Sequence, residues 1–159
     1  MPIAKVRIDM ILAIPQAGIF CLQYEMTLPE IVHRGKVERM YDKANPYLMV
    51  PVLVKSGSYS DMAIGFVDTG ANCCFASENL RKSLHMEAFT HKTVGSAYEM
   101  VESGVYRTDI QIGGIQLKNV VTMEFNNSAF IGADFVIGMN VLSLGDLSVR
   151  RDGSFTFEI

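Results

Sequence analysis

Strand signals, short apolar or alternating runs closed by turn residues, outnumber helix signals along this chain. The clearest case is "YRTDIQIGGIQLKNVVTMEF", residues 106–125. Ile110 and Ile112 alternate with polar neighbours, Gly113-Gly114 supplies a two-residue turn, and Ile115 and Leu117 resume the alternation. That spacing predicts a hairpin. A second hairpin is predicted from the β-favouring run 47–55, the turn "SGS" at 56–58 and the apolar run 62–67, and a third from 147–159 around Asp152-Gly153. "ADFVIG", 133–138, reads as a short buried strand, and "IFCLQYEMT", 19–27, as another strand. Helical spacing is rare. Residues 77–86 place Leu80, Leu84 and Met86 behind a candidate N-cap, Ser77, and 140–145 allows one or two turns ended by Gly145. The segment 33–43 sets Arg34, Lys36, Arg39 and Lys43 against Glu38 and Asp42, and is read as a solvated loop or helix face. Pro46 biases Asn45 away from helix and marks a boundary. The chain is therefore read as an N-terminal extension, 1–45, and a domain, 46–159. The extension adds a strand to the domain, covers its termini, or is removed; these stay open.

Composition sharpens this picture. The 159 residues are 49% hydrophobic and 19% charged, enough apolar matter for one well-filled core. A net charge of −3 gives no electrostatic reason to expect nucleic acid. Three cysteines, two of them adjacent (Cys73 and Cys74), do not make a disulfide framework and suit reduced thiols in a cytoplasmic protein. The N-terminus loosely imitates a signal peptide, but Asp9 interrupts the approach and Pro15 cuts the apolar run short. No apolar run reaches the length of about 18 residues that spans a membrane, so no membrane association is expected.

The stretch "AIGFVDTGANCCF", 63–75, carries the candidate chemistry. Asp68 follows a run of apolar residues, so it stands at the end of a buried strand, where a carboxylate is costly unless partnered. Thr69 offers a hydroxyl, and Gly70 permits a tight turn and the close approach of another backbone. Asp and Gly are also ordinary turn residues, so the tripeptide alone leaves a catalytic carboxylate and a turn aspartate both open. His33, His85 and His91 lack metal-ligand spacing with any cysteine pair, and no metal or other cofactor is expected. Nothing local marks Cys73 or Cys74 as an activated nucleophile. The phosphate-binding, dinucleotide-binding and nucleophile-elbow fingerprints are absent.

A second segment changes the balance. "FVDTGA", 66–71, is followed downstream by "VIGMNVL", 136–142, in which Val136 and Ile137 precede Gly138 and a short helical stretch. In order and spacing these resemble the two motifs of the retropepsin-like aspartic proteases, in their bacterial branch. "VESGVYRTDIQIGG", 101–114, resembles the family's flap return strand and the hairpin after it, and the likeness covers residues 46–159. It implies a closed, mostly antiparallel, all-β barrel with one or two short helices. It implies Asp68 as the catalytic carboxylate, with Thr69, Gly70 and Ala71 supporting its loop, and Val136, Ile137 and Gly138 packing behind it. It also implies a flap that excludes water and holds a peptide, here with its tip at 95–100: Gly95, Ser96, Ala97, Tyr98 and Glu99. Tyr98 is either a substrate contact or an exposed hairpin aromatic. The tip departs from the family pattern, because the glycine expected near it falls around Glu99.

One aspartate does not suffice for the family's reaction. Aspartic proteases as a class are known to use two carboxylates about 3 Å apart that share one proton. No second Asp-Thr/Ser-Gly occurs here; Asp134, Asp146 and Asp152 lack the residues that follow it. The resemblance therefore implies a homodimer in which Asp68 meets Asp68 of a second copy, with a peptide or protein as substrate. Ala71 cannot donate a hydrogen bond to the ionised dyad, as Ser or Thr would, so the expected activity optimum is about pH 5–6 rather than strongly acidic. The alternative expectation is a retropepsin-like binding or assembly domain with weak or no peptidase activity, which the atypical flap and the extension keep open.

Overall fold

The computed structural model describes residues 5–6, 20–21, 26–95, 100–125 and 132–159. Three two-residue strands come first: β1 (Lys5–Val6), β2 (Phe20–Cys21) and β3 (Met26–Thr27). Of the strand expected at 19–27, the described residues form β2 and β3; the rest lies outside the described residues. β3 pairs with β1. Then follow β4 (Glu30–His33), β5 (Lys36–Met40), β6 (Met49–Ser56), β7 (Tyr59–Val67), β8 (Cys74–Ser77) and helix α1 (Glu78–Ser83). β9 (Thr90–Gly95), β10 (Met100–Ile112), β11 (Ile115–Phe125), β12 (Phe135–Ile137), helix α2 (Met139–Leu142), β13 (Asp146–Val149) and β14 (Ser154–Glu158) complete the chain.

Six of these strands close a barrel in the order β6–β7–β12–β8–β11–β10, with β10 pairing back onto β6. The expected hairpins build most of it. In β6 the side chains of Val50, Val52 and Val54 are buried while Pro51 and Lys55 face out, the alternation that one buried face demands. β7 pairs with it from Ser56↔Tyr59 to Met49↔Phe66. The β10–β11 hairpin turns at Gly113-Gly114, and its register shifts between Thr108 and Ile110. At that bulge Asn119 adopts a φ of 56°, and its N–H donates to Asp109 Oδ1 at 3.1 Å. Two short strands then seal the barrel: β12 runs parallel to β7 and antiparallel to β8, and β8 runs parallel to β11.

A separate three-stranded sheet has the order β13–β14–β5. The final hairpin, β13–β14, falls where its pattern predicted. β5 corrects the reading of 33–43 as loop or helix face: Lys36–Met40 is a strand paired with β14 throughout its length. Its burial explains the miss. Only Val37 is buried, so no alternation announces the strand, and its pairing with β14 supplies what the pattern lacks. The charges of the segment are solvated, as expected: Lys36, Glu38 and Arg39 are exposed. β4 pairs with β11 at Gln116–Lys118, so residues 30–40 contribute strands to the barrel's sheet and to the three-stranded sheet.

Helix α1 begins where the sequence placed its cap. Ser77 Oγ accepts the Leu80 N–H at 3.2 Å. It ends sooner than expected, at Ser83, with His85 in the left-handed region and Met86 N–H returning to the Arg81 carbonyl. The buried side chains form two clusters. The larger fills the barrel with Val52, Val54, Ile112, Ile115, Phe135 and Phe155 among others. The smaller unites Ala71, Cys73, Phe75, Val94, Val105, Val121, Met123 and Val136. It is this second cluster that lies under the candidate site.

Candidate active site

Asp68 stands where β7 leaves the sheet. Val67 is still paired, opposite Ile137, and the Asp68 N–H donates to the Ile137 carbonyl at 3.0 Å. Beyond it the chain turns. Asp68 Oδ1 accepts the Gly70 N–H at 2.8 Å, and the Ala71 N–H donates to the Asp68 carbonyl at 3.2 Å. This is the Asx geometry that an aspartate two residues before a glycine favours. The turn reading of Asp68 is thus met in the backbone, and its carboxylate is left half-buried rather than enclosed. Thr69 and Gly70 are exposed at the crest of the loop, whereas Ala71 is buried in the smaller cluster.

The glycine segment crosses behind this loop. The Met139 N–H donates to the Ala71 carbonyl at 2.7 Å, and the Asn140 N–H to the Asn72 carbonyl at 3.1 Å. Such backbone-to-backbone bonds need the two chains in near contact, which only glycine allows at 138. A Cβ there would be driven into the Cys73 carbonyl and would sit 3.0 Å from the Ala71 oxygen. The residues before it divide between the clusters: Val136 packs under the loop and Ile137 into the barrel. Sequence and structure therefore bring Asp68–Ala71 and Val136–Gly138 together.

Two polar residues that the sequence reading did not single out complete the base. Asn140, in α2, is buried; its Nδ2 donates to the Val121 carbonyl at 2.9 Å, and its Oδ1 accepts from the Cys74 thiol at 3.3 Å. It ties α2 to β11 and β8 at once. The only signal in sequence is an amide inside the apolar run "VIGMNVL". Asn72 Oδ1 is the one buried side-chain polar atom among the described residues with no hydrogen-bond partner. Burial pushes the Cys74 thiol up from 9.0 to about 12, so it is a protonated donor at neutral pH and not a nucleophile.

Over this base stands a two-stranded arm. β9 and the outer half of β10 pair from Thr90↔Val105 to Gly95↔Met100, and β2 pairs with β9 on the other edge. Gly95, the last residue of β9, is buried. Ser96, Ala97, Tyr98 and Glu99 lie outside the described residues. Val94 and Val105, from the arm, share the smaller cluster with Ala71 of the loop and Val136 of the glycine segment. One continuous apolar contact therefore links loop, crossing segment and arm.

No family model matches the chain, and no curated protein matches it. Solved structures do. A retropepsin-like aspartic protease from Rickettsia conorii superposes over 86% of this chain and 97% of its own, with a TM-score of 0.59 at 14% identity. The retroviral protease-like domain of Ddi1 from Leishmania major matches over 67% of this chain and 82% of its own, with a TM-score of 0.44 at 15% identity. The likeness first legible in "FVDTGA" and "VIGMNVL" extends to the barrel as a whole, and the protein has the retropepsin-like aspartic-protease fold.

Proposed function

We propose that the protein is an aspartic endopeptidase that works as a homodimer, with Asp68 of each copy forming one dyad. The observation that carries this reading is the Asp68 loop. In a fold shared with a retropepsin-like protease, the carboxylate stands half-exposed at the end of a strand, with the loop crest beside it open to solvent. A lone carboxylate cannot serve as both the acid and the base of this reaction. Two of them across a two-fold axis share a proton, and their titration belongs to the pair. One, ionised, takes a proton from a water held between them. The other, protonated, polarises the scissile carbonyl and then passes its proton to the leaving nitrogen. The Gly70 N–H bond to Oδ1 holds the Asp68 carboxylate in place at the loop. Thr69, exposed beside the carboxylate, is the residue to bridge the two loops. The β9–β10 arm is the flap, closing over a peptide laid across the axis.

The test compares wild type with Asp68→Asn on an unfolded protein or a peptide library between about pH 4 and pH 7. Cleavage by the wild type alone is the expected result. No cleavage at any pH, together with no thermal shift from a statine-type inhibitor, overturns the reading in favour of a binding or assembly domain. Sedimentation tests the dyad separately, since a strictly monomeric active species is incompatible with it.

A further inference from the structure

We propose that Ser103, Tyr106, Glu124 and Arg81 form a side-chain clamp at the root of the β9–β10 arm and set its position over the Asp68 loop. The catalytic consequence rests on the peptidase reading above; the clamp itself does not.

The inference starts from one strand with two allegiances. The inner part of β10 pairs with β11 and β6, whereas Met100–Ser103 pair with β9 alone among the barrel and arm strands. Val105 is the pivot, opposite Met123 on one side and Thr90 on the other. The next regular partners on the β11 side would be Gly104 and Glu124, and that pairing is not made. Instead the Glu124 N–H donates to Ser103 Oγ at 3.1 Å, and the same hydroxyl donates to the Gly104 carbonyl at 2.9 Å. A side chain thus replaces the backbone ladder at the point of departure.

The Glu124 side chain then reaches over the gap. Tyr106 OH donates to its Oε1 at 2.5 Å, and Arg81 Nε stands 4.0 Å from the same oxygen. Arg81 is itself anchored, donating to the carbonyls of Ala76 at 2.6 Å and Phe125 at 3.3 Å. β10 just on the barrel side of the pivot, β11 and α1 therefore meet at one carboxylate, and the arm joins them through Ser103 on the Glu124 N–H. Gly104 makes room for it: a Cβ there would lie 2.6 Å from Glu124 Oε1 and 2.8 Å from Tyr106 OH. A hydrogen bond to an ionised acceptor in a half-buried place is about twice as strong as a neutral one. This one holds the segment from which Val105 and, across the ladder, Val94 project into the cluster beneath the loop. Tyr106, Glu124 and Arg81 are proposed as positioning residues, acting on the arm.

Hydrogen exchange on the full chain tests this without reference to activity. Tyr106→Phe removes only the hydroxyl. It is expected to speed exchange in Thr90–Gly95 and Met100–Val105 about tenfold while leaving Thr108–Ile112 unchanged. Thr108→Val is the control. It deletes a buried hydroxyl paired with Thr122 at 2.9 Å lower on the same strand, and is expected to lower overall stability with no preference for the arm. Should Tyr106→Phe fail to fold, Glu124→Gln carries the same test, with the same two readings. Arm exchange that stays at the wild-type rate, or rises equally in arm and barrel, overturns the clamp. On a cleaved peptide, Tyr106→Phe is expected to raise KM about fivefold with kcat changed less than about twofold. Equal loss in both parameters, or no change in either, overturns the positioning role. If wild type cleaves nothing while arm exchange still responds, the peptidase reading falls and the clamp stands.

Discussion

Gly138 and Gly104 both lack room for a Cβ, Gly138 the more so, and they are differently built. Around Gly138 the neighbours are backbone, the Cys73 and Ala71 carbonyls, locked by the bonds that join the Asp68 loop to the crossing segment. Around Gly104 they are the ends of side chains, Glu124 Oε1 and Tyr106 OH. Backbone in a hydrogen-bonded crossing has nowhere to go, whereas a carboxylate and a phenol can swing aside. The base that presents Asp68 is accordingly rigid, and the root of the arm above it is adjustable. That division suits the proposed peptidase reading, in which the carboxylate is held still and a substrate is admitted over it.

The comparison can be broken at several points. The largest effect expected is on activity. Asp68→Asn should cut peptide cleavage by about 10³-fold or more with the thermal midpoint hardly moved, because the loop's backbone bonds do not need the charge. A large loss of stability in that variant would show that the carboxylate is part of the scaffold. Gly138→Ala comes next. Its Cβ has only backbone to displace, so a destabilisation of about 3 kcal/mol is expected, a fall of about 6–12 °C in the thermal midpoint. Asn140→Ala removes a donor to Val121 and an acceptor for Cys74 and should cost about 2 kcal/mol, read by denaturant midpoint. Gly104→Ala should cost about 1 kcal/mol, since Glu124 and Tyr106 yield. A Gly104→Ala penalty as large as that of Gly138→Ala would erase the contrast between rigid base and adjustable root.

The smallest effect is spectroscopic. Burial, and then the hydrogen bond to Glu124, raise the Tyr106 phenol from 10.0 to about 12. Its folded pKa lies above the unfolded one, so its contribution to stability is complete below pH 10 and fades as pH climbs toward about 12. An ultraviolet titration should show Tyr106 ionising late. Glu124→Gln should bring that step down.

Much of the fold was legible because its hairpins announce themselves locally. The apolar runs of β6–β7, the alternation of β10–β11 and the turns between them are properties of adjacent residues. β5 was hidden because only Val37 is buried in it, and its other side chains read as a charged surface. β8, four consecutive buried residues between Asp68 and α1, carries no period at all. The site divides in the same way. Asp68, Thr69, Gly70 and the 136–138 segment stood out as motifs. Asn140 did not, since one amide in an apolar run says nothing of the two groups it joins.

The sequence by itself determined the hairpins, the cap of α1, the solitude of the Asp-Thr-Gly stretch and the glycine that its partner segment needs. Each follows from short-range chemistry: side-chain period, turn propensity, the missing Cβ. Only the tertiary structure decided that β5 joins the C-terminal hairpin, that Asn140 ties three elements together, and that the arm is rooted on Glu124 rather than on a continued ladder. Those are contacts between residues far apart in the chain. A polar side chain's role there is set by which partner the fold delivers, not by its neighbours in sequence.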